Sequence, residues 1–265
     1  MPETDAARTD AAHEIALPDG RRIVAPDPDQ AAVLWREVTG NDLYARGVEG
    51  LAAGDVVFDV GGNLGLAALF FSDLVPGLRV YSFEPAEDCF ACLRENTRRH
   101  GTGITAVQVA VGSRPGTGEL TYYPRSPAQS SLYPDEDEDR RHLMTYLANT
   151  GIDEDTARAL GETMYQGRRY QVDVTTVTAA MAEHGVDEIA LLKIDVERAE
   201  QDVLDGIEES DWPRIRRVVA EVHDRNGRLA AVVEGLTRRG FTVRVGQEEM
   251  LTGTGVQMVL ALRDR

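Results

Sequence analysis

The chain has 265 residues and a formal charge of −17, from 45 acidic and 28 basic side chains. That length fits one large α/β domain or two small ones, and it can bury a core without disulfide or metal staples. The acidic balance argues against tight non-specific binding to duplex nucleic acid, which needs a basic surface to displace counterions, and against an anionic membrane surface.

The N-terminus, MPETDAARTD, has no basic region followed by an apolar one, so no signal peptide is expected. The longest strongly apolar run, Leu64–Phe71, is too short to span a bilayer. Two cysteines three residues apart, Cys89 and Cys92, cannot form a disulfide framework and suggest a reducing compartment. The expected location is therefore cytoplasmic. Lys193 is the one lysine, and arginine supplies every other basic side chain, a bias that reads as GC-rich coding.

In chain order, residues 1–12 read as a disordered tail. His13–Leu17 and Arg21–Ala25, separated by Pro18-Asp19-Gly20, predict a hairpin. Helices are predicted over Asp27–Gly40 and Leu43–Leu51. The nearly all-apolar run Asp55–Val60 predicts a strand buried on both faces. A helix over Leu64–Leu74, a strand over Arg79–Phe83, a helix over Pro85–His100 and a strand over Ile104–Val111 follow. This alternation marks right-handed βαβ units and a doubly wound sheet. Glu119–Tyr123 is a candidate extra strand. The rhythm then breaks: residues 124–170 are polar, with helices at roughly 138–149 and 153–165, too long for an ordinary connection and so an inserted lid. Alternation resumes with strand Ile189–Asp195, helix Ala199–Ile207, strand Arg217–His223 and helix Gly227–Gly240. Strands Phe241–Val245 and Gln257–Leu262 then pair antiparallel. Residues 1–50 read as an N-terminal extension and 51–265 as the main domain.

The densest signal is Asp59-Val60-Gly61-Gly62-Asn63-Leu64-Gly65, a strand running into a glycine turn and a helix. Ligands of open α/β sheets lie at the carboxyl ends of the strands. Glycines at 61, 62 and 65 do not give the Gly-x-Gly-x-x-Gly spacing of a dinucleotide site, and Asp59 would repel a phosphate. An acid there suits a cationic ligand such as S-adenosylmethionine, a sulfonium without phosphate. Glu84, at the end of the second strand, is placed to accept hydrogen bonds from ribose hydroxyls.

With these residues the sequence resembles the class I S-adenosylmethionine-dependent methyltransferases, and within them the FkbM family. The resemblance rests on Asp59–Gly65, Phe83-Glu84-Pro85, Ser130-Ser131-Leu132 and above all Leu191–Glu200 (LLKIDVERAE). It covers roughly residues 50–225. It implies a Rossmann-like, mostly parallel seven-stranded sheet with an antiparallel last strand, and methyl transfer usually to a hydroxyl in natural-product tailoring. Carried over, Asp59, Gly61, Asn63 and Gly65 would line the methionine end of the cofactor, Glu84 the ribose, and Ala110 with Val111 the adenine. Arg198 departs from the family, which usually has glycine there. That puts a tight turn after Glu197 in doubt and brings a guanidinium near the site.

Alternation along the fourth strand puts Lys193, Asp195 and Glu197 on one face, costly unless paired or facing a cleft. A Lys193–Asp195 ion pair would resolve this, with Asp195 also in the cofactor site. The next strand ends Glu221-Val222-His223. Methyl transfer needs alignment of the reacting atoms and removal of a hydroxyl proton. His223 is the natural base, its pKa lying near neutrality, with Asp195 or Glu221 orienting it. Lys193, Asp195, Glu221 and His223 are thus the candidate catalytic residues. A divalent metal on Asp195, Glu221 and His223 is a competing reading, not the expected one.

Glu200 reads as helix N-terminal charge compensation, and the acidic run 135–139 as a solvated helix start, with gating or a partner contact as its alternative. Cys89-x-x-Cys92 reads as packing, and His100, His142 and His184 carry no specific signal. The expected partners are a small-molecule acceptor, free or carrier-tethered, and a second copy of the chain; nucleic acid and membrane are not expected. N-methylation, a nicotinamide oxidoreductase and a non-catalytic cofactor-binding subunit are the alternatives.

Overall fold

A computed structural model describes residues 12–263. The predicted tail therefore lies almost wholly outside the described residues. The chain opens with the hairpin β1 (His13–Ala16) and β2 (Arg22–Ala25), then α1 (Pro28–Gly40) and α2 (Asp42–Val48). Asp27 caps α1 by accepting from the amides of Asp29 and Gln30, and Asn41 caps α2 in the same way.

Seven strands build the main sheet: β3 (Val56–Val60), β4 (Arg79–Phe83), β5 (Ile104–Val107), β9 (Leu191–Ile194), β10 (Arg217–His223), β11 (Thr242–Gly246) and β12 (Val256–Leu262). Their spatial order is β11-β12-β10-β9-β3-β4-β5. The β3–β4, β4–β5, β3–β9 and β9–β10 pairs are parallel, while β12 runs antiparallel to both β10 and β11. The doubly wound sheet with an antiparallel last strand is thus present. Helices α3 (Leu66–Leu74), α4 (Glu87–His100), α7 (Val177–Glu183), α8 (Glu200–Asp205) and α9 (Arg228–Arg238) connect the strands.

Side-chain alternation sorts the core into two layers. Val56, Phe58, Val60, Leu192 and Ile194 pack on one face with Val203, Val232 and Leu236. Val57 and Leu191 lie on the other face, against Phe71 of α3 and Tyr44 and Val48 of α2. Asp59 and Lys193 continue this second row, so two charges sit where the pattern calls for apolar residues.

Two expectations change. Ile104–Val111 is not one strand: β5 ends at Val107, and Ala110–Val111 (β6) joins a separate three-stranded sheet with β7 (Gly116–Tyr122) and β8 (Arg168–Thr175). After Val107 the chain leaves the edge of the main sheet, and β6 pairs parallel with the end of β8. The second change is β8 itself, most of which lies past the expected insert; its charged alternation hides a strand that pairs antiparallel with β7 along its full length. The insert helices are α5 (Glu136–Asn149) and α6 (Glu154–Met164), close to expectation. No helix among the described residues is long and apolar enough to cross a membrane.

Cys89 and Cys92 are free and buried on the inner face of α4. Burial pushes the Cys92 thiol up to about 12 and Cys89 well above its usual value. Neither will react with a thiol-specific disulfide reagent at pH 8 in the native protein, and both will in denaturant; labelling of either under native conditions would contradict this burial.

Candidate active site

The carboxyl ends of β3, β4, β9 and β10 open into a cavity of about 550 Å³. One end is formed by Gly61–Leu64, Glu84, Ala110 and Val111, the floor by Lys193, Asp195–Ala199, Glu221 and His223. Its far walls come from α1 (Val33, Leu34, Glu37, Val38), from α5 (His142, Leu143, Tyr146) and from Glu248, Met250 and Leu251. A cavity of this size falls in the range of small-molecule sites. It contains Gly61, Asn63, Glu84, Ala110, Val111, Lys193, Asp195, Glu221 and His223, but not Asp59 or Gly65.

Those two act from behind the wall. Asp59 is fully buried; its carboxylate accepts from Ser82 Oγ at 2.7 Å and faces Lys193 Nζ at 3.0 Å. Gly65 sits at φ +82° where α3 begins, and a Cβ there would lie 2.7 Å from Leu93 of α4. It brings α3 against α4 and touches no ligand space. Gly61 is constrained more tightly: at φ +80° a Cβ would stand 1.7 Å from the Asp195 carbonyl oxygen. The glycine turn can therefore press directly on the end of β9.

Lys193 ties these parts together. Besides Asp59, its ammonium faces Asp195 Oδ2 at 3.4 Å and donates to the Gly61 carbonyl at 2.8 Å. The expected Lys193–Asp195 pair is present, and Asp59 is the nearer carboxylate. Burial opposes the charge, but Asp59 and Asp195 outweigh it and push the Lys193 pKa up to about 12. Asp195 also accepts from Tyr44 Oη at 3.2 Å, so a residue of the N-terminal segment completes the floor.

Glu84 accepts from the amides of Asn63 (2.8 Å) and Ala86 (2.8 Å), which aims it at the turn. Burial pushes its pKa up to about 7. The Asn63 side-chain oxygen is buried without a hydrogen-bond partner, an acceptor waiting for a donor.

His223 departs most from expectation. Neither Asp195 nor Glu221 orients it. Its Nδ1 meets Glu200 Oε1 at 2.7 Å and its Nε2 meets Glu197 Oε2 at 3.1 Å. Burial disfavours the imidazolium, yet Glu197 and Glu200 outweigh that and hold His223 well above its ordinary value. A charged imidazole between two carboxylates has no free lone pair, so the simple base assigned from a near-neutral pKa does not hold. Glu200, read from sequence as helix charge compensation, is fully buried and serves His223 instead. Glu221 is raised well above the usual carboxylate range by burial and by its neighbour Asp195.

The tight turn after Glu197 forms despite Arg198. Glu197 (φ +49°) and Arg198 (φ +77°) both adopt left-handed backbone. The Arg198 guanidinium is buried against Asp139 of α5, with Glu138 at 3.5 Å. Its carbonyl accepts from Arg228, and the Glu197 carbonyl accepts from Ser131. The 135–139 run is therefore not simply a solvated helix start: Asp139 is buried, and Asp135 and Glu138 also meet Arg225. His142, without signal in the sequence, lines the cavity and stacks near His223 with ring centroids 6.4 Å apart. Only its place in the insert could have suggested it.

Residues 59–243 match the methyltransferase FkbM domain. The chain belongs to the FkbM methyltransferase family. It is 40% identical over 257 residues to the 31-O-demethyl-FK506 methyltransferase FkbM of Streptomyces tacrolimicus, covering 96% of this chain and 98% of that one. It is 32% identical over 191 residues to Methyltransferase 1 of Beauveria bassiana, covering 71% and 73%. Among solved structures, the methyltransferase FkbM from Methylobacillus flagellatus shares the fold at TM-score 0.54 and 12% identity, over 82% of this chain and 47% of that one. The protein is thus a methyltransferase, and the fold implies S-adenosylmethionine as methyl donor.

Three variants test this FkbM-family floor. Lys193→Met will cost about 3–5 kcal/mol of stability in urea denaturation, because it leaves the buried Asp59 carboxylate without its cation; Lys193→Arg will cost about 1–3 kcal/mol through overpacking. Stability equal to the parent in both would refute the central role of Lys193. Arg198→Gly keeps the left-handed turn and deletes the tie to α5. Losing a buried charge partner costs about 3–5 kcal/mol, while relief of left-handed backbone returns about 1–2 kcal/mol. Amide exchange over 136–164 will therefore accelerate, and that of β3 and β9 will not; unchanged exchange in the insert would dismiss the latch.

Proposed function

We propose that this enzyme O-methylates a hydroxyl on an apolar natural product, using S-adenosylmethionine. The observation that carries the reading is a single cavity joining the Gly61–Asn63 turn and Glu84 to an acceptor chamber under the lid. The residues fit the cofactor: the orphaned Asn63 oxygen, the acid at the end of β4 and the carboxylate-rich floor suit a ligand with hydroxyls and a sulfonium. When bound, S-adenosylmethionine supplies a methyl group on positively charged sulfur.

This chain's residues then divide the work. Glu84 holds ribose hydroxyls, Ala110 and Val111 flank the adenine, and Gly61, Asn63 and Asp195 hold the methionine end. Asp59 acts through Lys193, and Gly65 through the placing of α3. Val33, Leu34, Val38, Leu143, Leu147 and Met164 offer an apolar wall to the acceptor. The relative from Streptomyces tacrolimicus, named for an O-demethyl acceptor, supports a hydroxyl as the methylated group. The polar groups placed to receive that hydroxyl are Glu197, Glu221 and His223. The lid helices α5 and α6 keep water from the chamber, which matters because orientation and exclusion of water carry much of such a rate enhancement.

Calorimetry with S-adenosylhomocysteine tests the cofactor half: micromolar binding is expected, and none at high micromolar concentration would sink the reading. Glu84→Gln turns one acceptor oxygen into a donor facing a backbone N–H, and a loss of about 1–3 kcal/mol in that affinity is expected. Mass spectrometry of macrocyclic alcohols against matched amines tests the acceptor half; methyl gain on the amines alone would replace O- with N-methylation.

A further inference from the structure

We infer that Glu197, Glu221 and His223 form a divalent-cation site at the floor of the acceptor chamber. Each offers one ligand atom, and these atoms lie within 4.8 Å of one another. All three line the cavity, so a cation there would face the acceptor directly.

Two observations separate this cluster from an ordinary group of acids. The first is the way His223 is held. Its Nδ1 is bound to Glu200, whose carboxylate also accepts from the Arg198 amide (2.8 Å) and from Arg228 (3.1 Å). That fixes the ring and turns Nε2 towards Glu197 and the cavity. A carboxylate behind one imidazole nitrogen is the common arrangement of histidine ligands; a cation on Nε2 would displace the proton that His223 shares with Glu197 at 3.1 Å and take its place between the two side chains. The second is Glu221. It makes no hydrogen bond or ion pair to any described residue, although its acidic neighbours Asp195 and Glu37 are met by Lys193 and Tyr44 and by Tyr146. With no donor or cation beside it this carboxyl resists ionisation, and a cation bound in the cavity would supply the missing positive partner.

Two carboxylates and one imidazole on one side, with open space on the other, suit a hard divalent ion such as Mg²⁺ or Mn²⁺ that keeps positions for water or a hydroxyl. The set differs from the one suggested by strand alternation, because Asp195 is committed to Lys193 and Tyr44 and the left-handed turn swings Glu197 into its place. The inference rests on the methyl-transfer reading only for the cation's purpose, which is to bind the acceptor oxygen and ease loss of its proton to solvent.

The test uses the full chain after chelation. Mn²⁺ titration followed by electron paramagnetic resonance should show one bound ion per chain. Glu221→Gln and His223→Ala should each weaken binding about tenfold or more, while Glu37→Gln and Glu248→Gln, cavity acids outside the cluster, leave it unchanged. Thermal melts show that each variant is folded. No Mn²⁺ bound at millimolar concentration, or binding weakened equally by all four substitutions, would overturn the site. S-adenosylhomocysteine affinity is measured on the same samples: intact cofactor binding without Mn²⁺ binding refutes the cation alone, whereas loss of cofactor binding in the parent refutes the methyltransferase reading.

Discussion

A single buried ammonium organises the centre of this enzyme. Lys193 lies on the middle strand, on the row that should be apolar, and neutralises Asp59 on one side and Asp195 on the other while donating to the Gly61 carbonyl. Two chain segments distant in sequence are thereby fixed at the strand ends: the end of β3 with its glycine turn, and the end of β9. Isolated charges at such depth would be prohibitive, and mutual pairing is what lets them remain there. The direct approach of Gly61 to the Asp195 carbonyl depends on the same closure. An arginine would supply the charge but not the compact head, which gives the lone lysine a physical reason beyond coding bias.

From this centre the site is completed by segments outside the repeating βαβ pattern. The N-terminal helices bring Tyr44 to Asp195 and an apolar wall to the chamber. The insert places His142 and Tyr146 over it. Arg198 joins insert to floor, its left-handed backbone offset by a buried pair with Asp139. A glycine would take this turn without strain. Here the same turn also carries a tie to the lid, so the geometry of Glu197 and the position of α5 are coupled through one residue.

The acidity of the protein acquires a local meaning. The excess gathers in residues 1–30, with seven acids against three bases, and in 130–165, with nine against three. These segments hold the N-terminal hairpin with the start of α1, and the insert helices α5 and α6. Part of that charge is spent inside: Asp139 and Glu138 face Arg198. The floor adds Asp195, Glu197 and Glu221, giving a chamber whose field favours a sulfonium and a cation and disfavours an anionic acceptor.

Local patterns in the sequence determined the fold class, most strands and helices, the glycine turn with Glu84 behind it, and the Lys193–Asp195 pairing. These follow from short-range rules: alternation along strands, caps, and glycines where left-handed backbone is needed. The split of Ile104–Val111 and the charged strand β8 were not legible, because partners 60 residues or so apart in the chain decide them. Nor was the partner of His223. Alternation along one strand compares only residues of that strand, whereas Glu200 and Glu197 reach His223 from a turn of positive φ that nothing in their residue types demands. Sequence therefore named the groups that carry the chemistry. Tertiary structure chose which carboxylate each cation meets, because pairing in a buried site is set by close packing of segments far apart in the chain.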